Sequence, residues 1–267
     1  GGKKAALLAA VIFTLGIGGT VGAAGPAATE HGPASKADGI ASIAVGVGDH
    51  VVSSNTDANR FQGATSLAVG TLNIVDADAN APFDGAASSV IGQVNYTKNA
   101  NAAIIMGAGN KVTNSYRDVS GLDEATINKI MGYYQKGQMD KVTEILQKAV
   151  PNSGGQVMVM GGGNTVDYAQ ASQVMGVSNI LKGTKDAASK YNLVDGFQNN
   201  VDKVQNTYVV GANNKIDNTQ NTIVIGDNHS GPSYIHGTKN SVIIGNGRTI
   251  KDGYGYLYDQ DKVVSIG

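Results

Sequence analysis

Four histidines, His31, His50, His229 and His236, are the only imidazoles in the 267 residues. His229 and His236 stand seven apart in a turn-rich stretch, close enough to meet over a metal ion, although separate surface histidines are the simpler reading. Asp76 and Asp78 flank an alanine in what reads as a loop. Their oxygens could bind calcium, and a solvated loop is the simpler reading. Gly107-Ala108-Gly109 and Gly245-Asn246-Gly247 each follow an aliphatic run, as a dinucleotide fingerprint begins. Neither continues to a third glycine and a helix, so both read as punctuation. No serine sits in a Gly-x-Ser-x-Gly elbow. The absence of cysteine excludes disulfides, thiolate zinc sites and thiol catalysis. No catalytic, cofactor-binding or metal-ligating residue is therefore assigned. The expectation is a non-enzymatic protein without cofactor.

The elements that carry these residues follow from composition and repetition. Lys and Arg number 20 against 21 Asp and Glu, a net charge of -1 that gives no general attraction to nucleic acid. Glycine contributes 37 residues of 267, about 14% and roughly twice the usual share. Asparagine contributes 24. With 41% hydrophobic residues the chain still carries a core, which predicts many short strands joined by tight turns. At the start, Lys3 and Lys4 precede an apolar run from Ala5 to Ile17 and then small residues. That is the order of a secretory signal peptide over 1–24, with the mature chain beginning near Ala24 to Pro26.

One hexad recurs: a small or polar pair, three mainly apolar residues, then glycine. Copies include Ala41-Ser42-Ile43-Ala44-Val45-Gly46, Thr65-Ser66-Leu67-Ala68-Val69-Gly70, Asn221-Thr222-Ile223-Val224-Ile225-Gly226 and Asn240-Ser241-Val242-Ile243-Ile244-Gly245. The glycines at 92 and 107, 161 and 176, 196 and 211, and 211 and 226 are each 15 apart. A second half-repeat, Gly-x-x-Asn-x-aliphatic, runs for example from Gly176 through Asn179 to Leu181 and from Gly211 through Asn214 to Ile216. Each unit reads as strand, Gly turn, short strand and Asn-rich turn, with Gly and Asn taking positive-φ positions. Such a unit buries an apolar face only by stacking, so the fold expected is an all-β parallel roll or solenoid with coils of about 15 residues.

Alternation places the third and fifth hexad residues on one strand face and the fourth on the other. The fourth residues, Ala44, Ala68, Val90, Ile105, Val159, Val174, Val209, Val224 and Ile243, are all apolar. Apolar rows on both faces predict burial on both. One fills the roll; the fourth-residue stripe is expected to pack on another chain, so that aspartate at Val209 and Val224 breaks the oligomer. A second layer from the same chain is the alternative.

Residues 121–151 leave the repeat. Leu122, Ile127, Ile130, Met131 and Tyr134, then Met139, Val142, Ile145, Leu146 and Ala149, follow helical spacing, with Gly137 between them and Pro151 at the end. This predicts a helical hairpin inserted between coils, either a brace on the roll or a projecting contact. The expected organisation is signal peptide 1–24, linker 25–38, roll 39–120, hairpin 121–151 and roll 152–267.

The hexads resemble the head repeats of YadA-like trimeric autotransporter adhesins over about residues 39–118 and 155–267. The resemblance implies a left-handed parallel β-roll in a homotrimer, exported to the outer membrane and cell surface. It implies attachment to host extracellular matrix, host cells or other bacteria through multivalent contact. The chain opens on Gly1 rather than Met and lacks a heptad stalk and a β-barrel anchor, so an N-terminal head fragment is expected, with the anchor in a missing C-terminal part. A secreted solenoid enzyme acting on polysaccharide and a structural fibre segment are the competing readings. No recurrent Asp/Arg/Lys row, as such enzymes carry on one external face, is expected in the strands.

Overall fold

The structure, a computed structural model, describes residues 27–53, 61–77, 81–118, 123–149, 155–229, 233–248 and 257–267. The expected signal peptide and Asp78, Leu122 and Pro151 lie outside these residues. The chain divides into two compact units, Gly1–Ala103 with Tyr116–Gly155, and Ile104–Ser115 with Gln156–Gly267.

In the first unit each coil is a longer strand followed by a shorter one. The coils are β1 (Thr29–His31) with β2 (Lys36–Ala37), β3 (Ile43–Val47) with β4 (His50–Val52), β5 (Leu67–Thr71) with β6 (Ile74–Asp76), and β7 (Ser89–Gln93) with β8 (Tyr96–Lys98). The longer strands stack in parallel as one sheet and the shorter strands as another. The hexad glycines fall in register, Gly46 on Gly70 on Gly92. The expected linker 25–38 is corrected here: β1 and β2 form a further coil on β3 and β4. It escapes the hexad pattern because its central residues are Thr29, Glu30 and His31, polar and exposed.

The first unit also holds the hairpin, α1 (Glu124–Gln135) and α2 (Met139–Ala149). Asp123 caps α1, accepting from the Thr126 N–H at 2.7 Å. Gly137, at φ +69°, closes α1 with its N–H on the Tyr134 carbonyl. Ile127, Ile130 and Val142 form the hairpin's core, flanked by Met131, Tyr133, Tyr134, Ile145 and Leu146. Among the described residues this cluster consists of hairpin residues alone.

The second unit repeats the plan. Its coils are β9 (Ile104–Ala108) with β10 (Lys111–Thr113) and β11 (Val157–Gly162) with β12 (Thr165–Asp167). After β13 (Ala169–Gln170) come β14 (Ser172–Val177) and β15 (Ile180–Lys182), and after β16 (Ser189–Lys190) come β17 (Leu193–Phe197) and β18 (Asn200–Asp202). The last are β19 (Tyr208–Ala212) with β20 (Asn214–Asp217), β21 (Ile223–Asp227) with β22 (Ser233–His236), β23 (Val242–Ile244) with β24 (Leu257–Tyr258), and β25 (Val264–Ile266). Parallel register holds Gly161 on Gly176, Gly196, Gly211 and Gly226 in turn. Glycine is required in this row: at Gly196, φ is +139° and a Cβ would lie 1.8 Å from the Gly211 carbonyl oxygen.

The strand faces correct one expectation. All nine fourth-position residues are fully buried, so this row fills the roll rather than facing another chain. The second sheet matches it with Val51, Val75, Val112, Val166, Leu181, Val201, Ile216 and Ile235, all at 0% exposure. The apolar row left open is formed by third and fifth positions. Ile104, Met106, Tyr208, Val210, Ile223 and Ile225 are 38–49% exposed.

In the Asn-rich turns after the short strands the asparagines take positive φ as expected, at Asn99, Asn114, Asn206, Asn218, Asn221 and Asn240; in Gly-x-x-Asn the position just before the asparagine takes that role, as at Val94, Ser178, Gln198 and Asn213. The Gly-x-x-Asn asparagines themselves point inward as rungs of a buried amide ladder. In the second unit Asn164 donates its Nδ2–H to the Oδ1 of Asn110, Asn179 to Asn164, Asn199 to Asn179, Asn214 to Asn199 and Asn228 to Asn214, at 2.9–3.1 Å. Most rungs also donate to the hexad glycine of the next coil, as Asn179 does to Gly196 O at 2.7 Å. Arg248 occupies the last rung position and supplies donors alone, from its backbone N–H to Asn228 Oδ1 at 2.8 Å and from its guanidinium to Asn214 Oδ1. In the first unit Asn95 donates to Asn73 and Asn73 to Asp49, an acceptor-only carboxylate.

Candidate functional site

Titratable side chains gather on the outer face of the second sheet. In β20 and β22 alternate residues are buried, Asn214 and Ile216, then Ser233 and Ile235, so Lys215, Asp217, Tyr234 and His236 stand outside, one coil above another, and Tyr258 of β24 is in register with His236. Lys215 lies in register with Tyr234, Asp217 with His236, and His236 with Tyr258. Below Asp217 the outer row continues through Asp202, Lys182 and Asp167. The charged row expected to be absent from the strands is therefore present. It escapes a strand-by-strand reading because each coil contributes one member, and only the register lines them up.

At the centre of this face the Tyr234 hydroxyl donates to Asp217 Oδ2 at 2.8 Å, and His236 Nδ1 meets Asp217 Oδ1. Asp217 thus takes two donors and fixes the imidazole, leaving His236 Nε2 3.8 Å from Asp259. The His236 ring stacks on Tyr258 with centroids 4.4 Å apart and planes at 24°. The Lys215 ammonium lies over the Tyr234 ring at 4.8 Å. Burial first, and then the hydrogen bond to Asp217, push the Tyr234 phenol up to about 12. The neutral phenol is therefore favoured by folding, so this group supports the fold below pH 10, the free phenol's value, and that support fades as pH rises from 10 towards 12. Tyrosinate absorbance should show a late-ionising fraction, to which Tyr96 and Tyr116 also contribute, and Tyr234→Phe should reduce it by one phenol; an unchanged late fraction would overturn the assignment.

The same trio is built in the first unit. The Tyr96 hydroxyl donates to Asp76 Oδ2 at 3.2 Å, and Lys98 Nζ lies 3.6 Å from that oxygen. Burial and Asp76 together raise the Tyr96 phenol. The sequence signal is Tyr-x-Lys or Tyr-x-His one coil after an aliphatic-Asp pair. Asp76 thus closes β6 and is engaged by Tyr96 and Lys98, not held free in a loop for calcium.

The histidines are separated in role. His229 pairs with Asp227, and His50 Nε2 lies 2.7 Å from the Ala34 carbonyl. Among the described residues no group of three or more His, Asp or Glu is arranged to hold a metal ion. Gly107 and Gly245 both have positive φ and serve as coil punctuation.

The hairpin offers a second surface. Thr126, Lys129, Tyr133, Lys141, Glu144 and Ile145 line a shallow recess, with the Lys141 ammonium 5.1 Å from the Tyr133 ring centre. No family model, curated protein or solved structure matches the chain.

Proposed function

We propose that this chain is the head of a bacterial surface adhesin that self-associates, as a homotrimer, through the outer face of its first sheet. The polar face of the second sheet and the helical hairpin then meet host matrix, host cells or other bacteria. Export, and an outer-membrane anchor in a C-terminal part, belong to the same reading. The observation that carries it is the contrast between two outer faces of one roll. Ile223, Ile225 and Tyr208 stand open on one sheet, while Lys215, Asp217 and His236 stand on the other. An ordered apolar row left in water is the mark of a surface that another chain covers. Three copies then give multivalency, so weak single contacts sum to firm attachment.

Light scattering on residues 26–267 across a dilution series should give a stable mass near three chains, and the same material should be retained on matrix-coated surfaces. A folded monomer at every dilution would sink the self-association. The Asp217–His236 pair favours a second reading, a polysaccharide-processing enzyme with His236 as general base. Turnover of a polysaccharide, lost in His236→Asn, would decide for it.

A further inference from the structure

Resting on the self-association of that adhesin reading, we propose that Asp195 makes the assembly proton-sensitive. The copies close more tightly in acid than at neutral pH, because each Asp195 takes up a proton as the apolar faces meet. The fifth-position row of the second unit runs through Met160, Met175, Asp195, Val210, Ile225 and Ile244. Asp195 is the only charged residue in that row among the described residues, and its neighbours leave it half-buried. Aspartates elsewhere in the strands are engaged. Asp76 accepts from Tyr96, Asp167 from Thr113 and Asn114, and Asp217 from Tyr234, while Asp202 lies 3.9 Å from Lys203. No hydrogen bond or ion pair engages the Asp195 carboxylate among the described residues.

The surroundings supply no counter-charge. Beside Asp195, β14 presents Gln173, Met175 and Val177 and β19 presents Tyr208 and Val210, so the Tyr208 phenol is the one titratable group facing it from these strands. In a single chain, water solvates the carboxylate. Assembly removes that water. A row that runs along the stacking direction is covered along its length by copies lying side by side, and rotational symmetry then sets Asp195 of every copy at one height. The described first-sheet strands of the second unit contain no lysine, arginine or histidine, so the matching faces bring no cation to it. A carboxylate shut away without a cation is costly as an ion and is neutralised instead, and like charges at one height add repulsion. The assembled state therefore binds more protons than the separate chains. By linkage, a fall in pH favours assembly and a rise opposes it.

The test is sedimentation velocity across a dilution series at pH 7.5 and pH 5, with urea added in steps where dilution alone does not separate the copies, and with circular dichroism to follow the fold at both pH values. One proton taken up per chain shifts the equilibrium by up to about tenfold per pH unit. The concentration at which the parent half-dissociates should accordingly be about tenfold lower at pH 5 than at pH 7.5. Asp195→Asn should show at pH 7.5 the tightness that the parent reaches in acid, and should lose the pH response. His31→Gln, in register with Val45 on the first sheet of the first unit, should keep it. Equal assembly of the parent at both pH values, or a full pH response in Asp195→Asn, would overturn the proposal. So would weaker assembly of Asp195→Asn at pH 7.5, since the carboxylate would then have a partner across the interface. An assembly without a pH response removes the role of Asp195 alone and leaves the adhesin reading standing. Single chains at both pH values, in the parent and in Asp195→Asn, remove the self-association itself.

Discussion

Ile223→Asp combined with Ile225→Asp should yield a folded single chain, while Val224→Asp, between them, should yield no stable fold. The three residues are consecutive in one hexad and differ only in face. Val224 is fully buried, whereas Ile223 and Ile225 are each 40% exposed. A carboxylate forced into the roll interior costs several kcal/mol even after local relaxation, a large part of the roughly 5–15 kcal/mol that holds a typical domain together. On the outer row the aspartates meet water in the single chain, so folding is spared. In the assembly each would be pressed against a neighbour's apolar row, with up to about 1.5–3 kcal/mol of burial lost per isoleucine besides. Light scattering and far-ultraviolet circular dichroism separate the outcomes. The double variant should fall to the mass of one chain with its β signal intact. Val224→Asp should lose the signal and the cooperative melt. An unchanged assembly in the double variant would remove the third and fifth positions as the interface, and a well-folded Val224→Asp would contradict the burial of the fourth position.

The pair also shows what the sequence conceals. Alternation separates position four from positions three and five, but both rows are aliphatic, so the hexad alone does not say which row is inside. The shorter strand does. In Lys215-Ile216-Asp217 only the middle residue is apolar, and it is buried. The coil period, the parallel stacking and the two helices were all legible, because glycine spacing and helical periodicity are local signals. The face assignment, the charged row and the coil at Thr29 to Ala37 were not. The row depends on register between coils of unequal length, with Asp202 on Asp217 on His236. In the coil at Thr29 to Ala37, polar residues replace the apolar ones that announce every other copy. Asparagine does form the turns, at Asn206, Asn218 and Asn221, and its second role as an inward rung is not visible from composition. The clue was spacing: Asn179 and Leu181 are two apart and therefore share a face, which is the inside.

Asn179→Ala and Asp49→Asn should move stability in opposite directions. Asn179 is fully buried; its Nδ2 donates to Asn164 Oδ1, Met175 O and Gly196 O, and its Oδ1 accepts from the backbone N–H and Nδ2 of Asn199. Truncation leaves buried partners on both neighbouring coils without it. At about 1–3 kcal/mol for each buried group left unpaired, the loss should exceed about 3 kcal/mol and lower the melting temperature of the second unit. Asp49 is the converse case. It is fully buried and takes the rung position in its coil, its Oδ1 accepting from Asn73. Nothing among the described residues donates to its Oδ2. That oxygen and the Gly70 carbonyl oxygen lie 2.5 and 1.9 Å from the same point, the place of a Cβ on Gly46. Two acceptors therefore face each other where Asn73 directs an N–H at Gly92 O over 2.8 Å. An amide at position 49 would supply the missing donor to Gly70 and remove a buried charge, while keeping the Oδ1 contact. Asp49→Asn should accordingly gain about 1–3 kcal/mol in chemical denaturation at neutral pH. A destabilised Asp49→Asn would mean that the carboxylate has a partner of its own, and a silent Asn179→Ala would mean that the ladder follows the stacking of the coils rather than securing it.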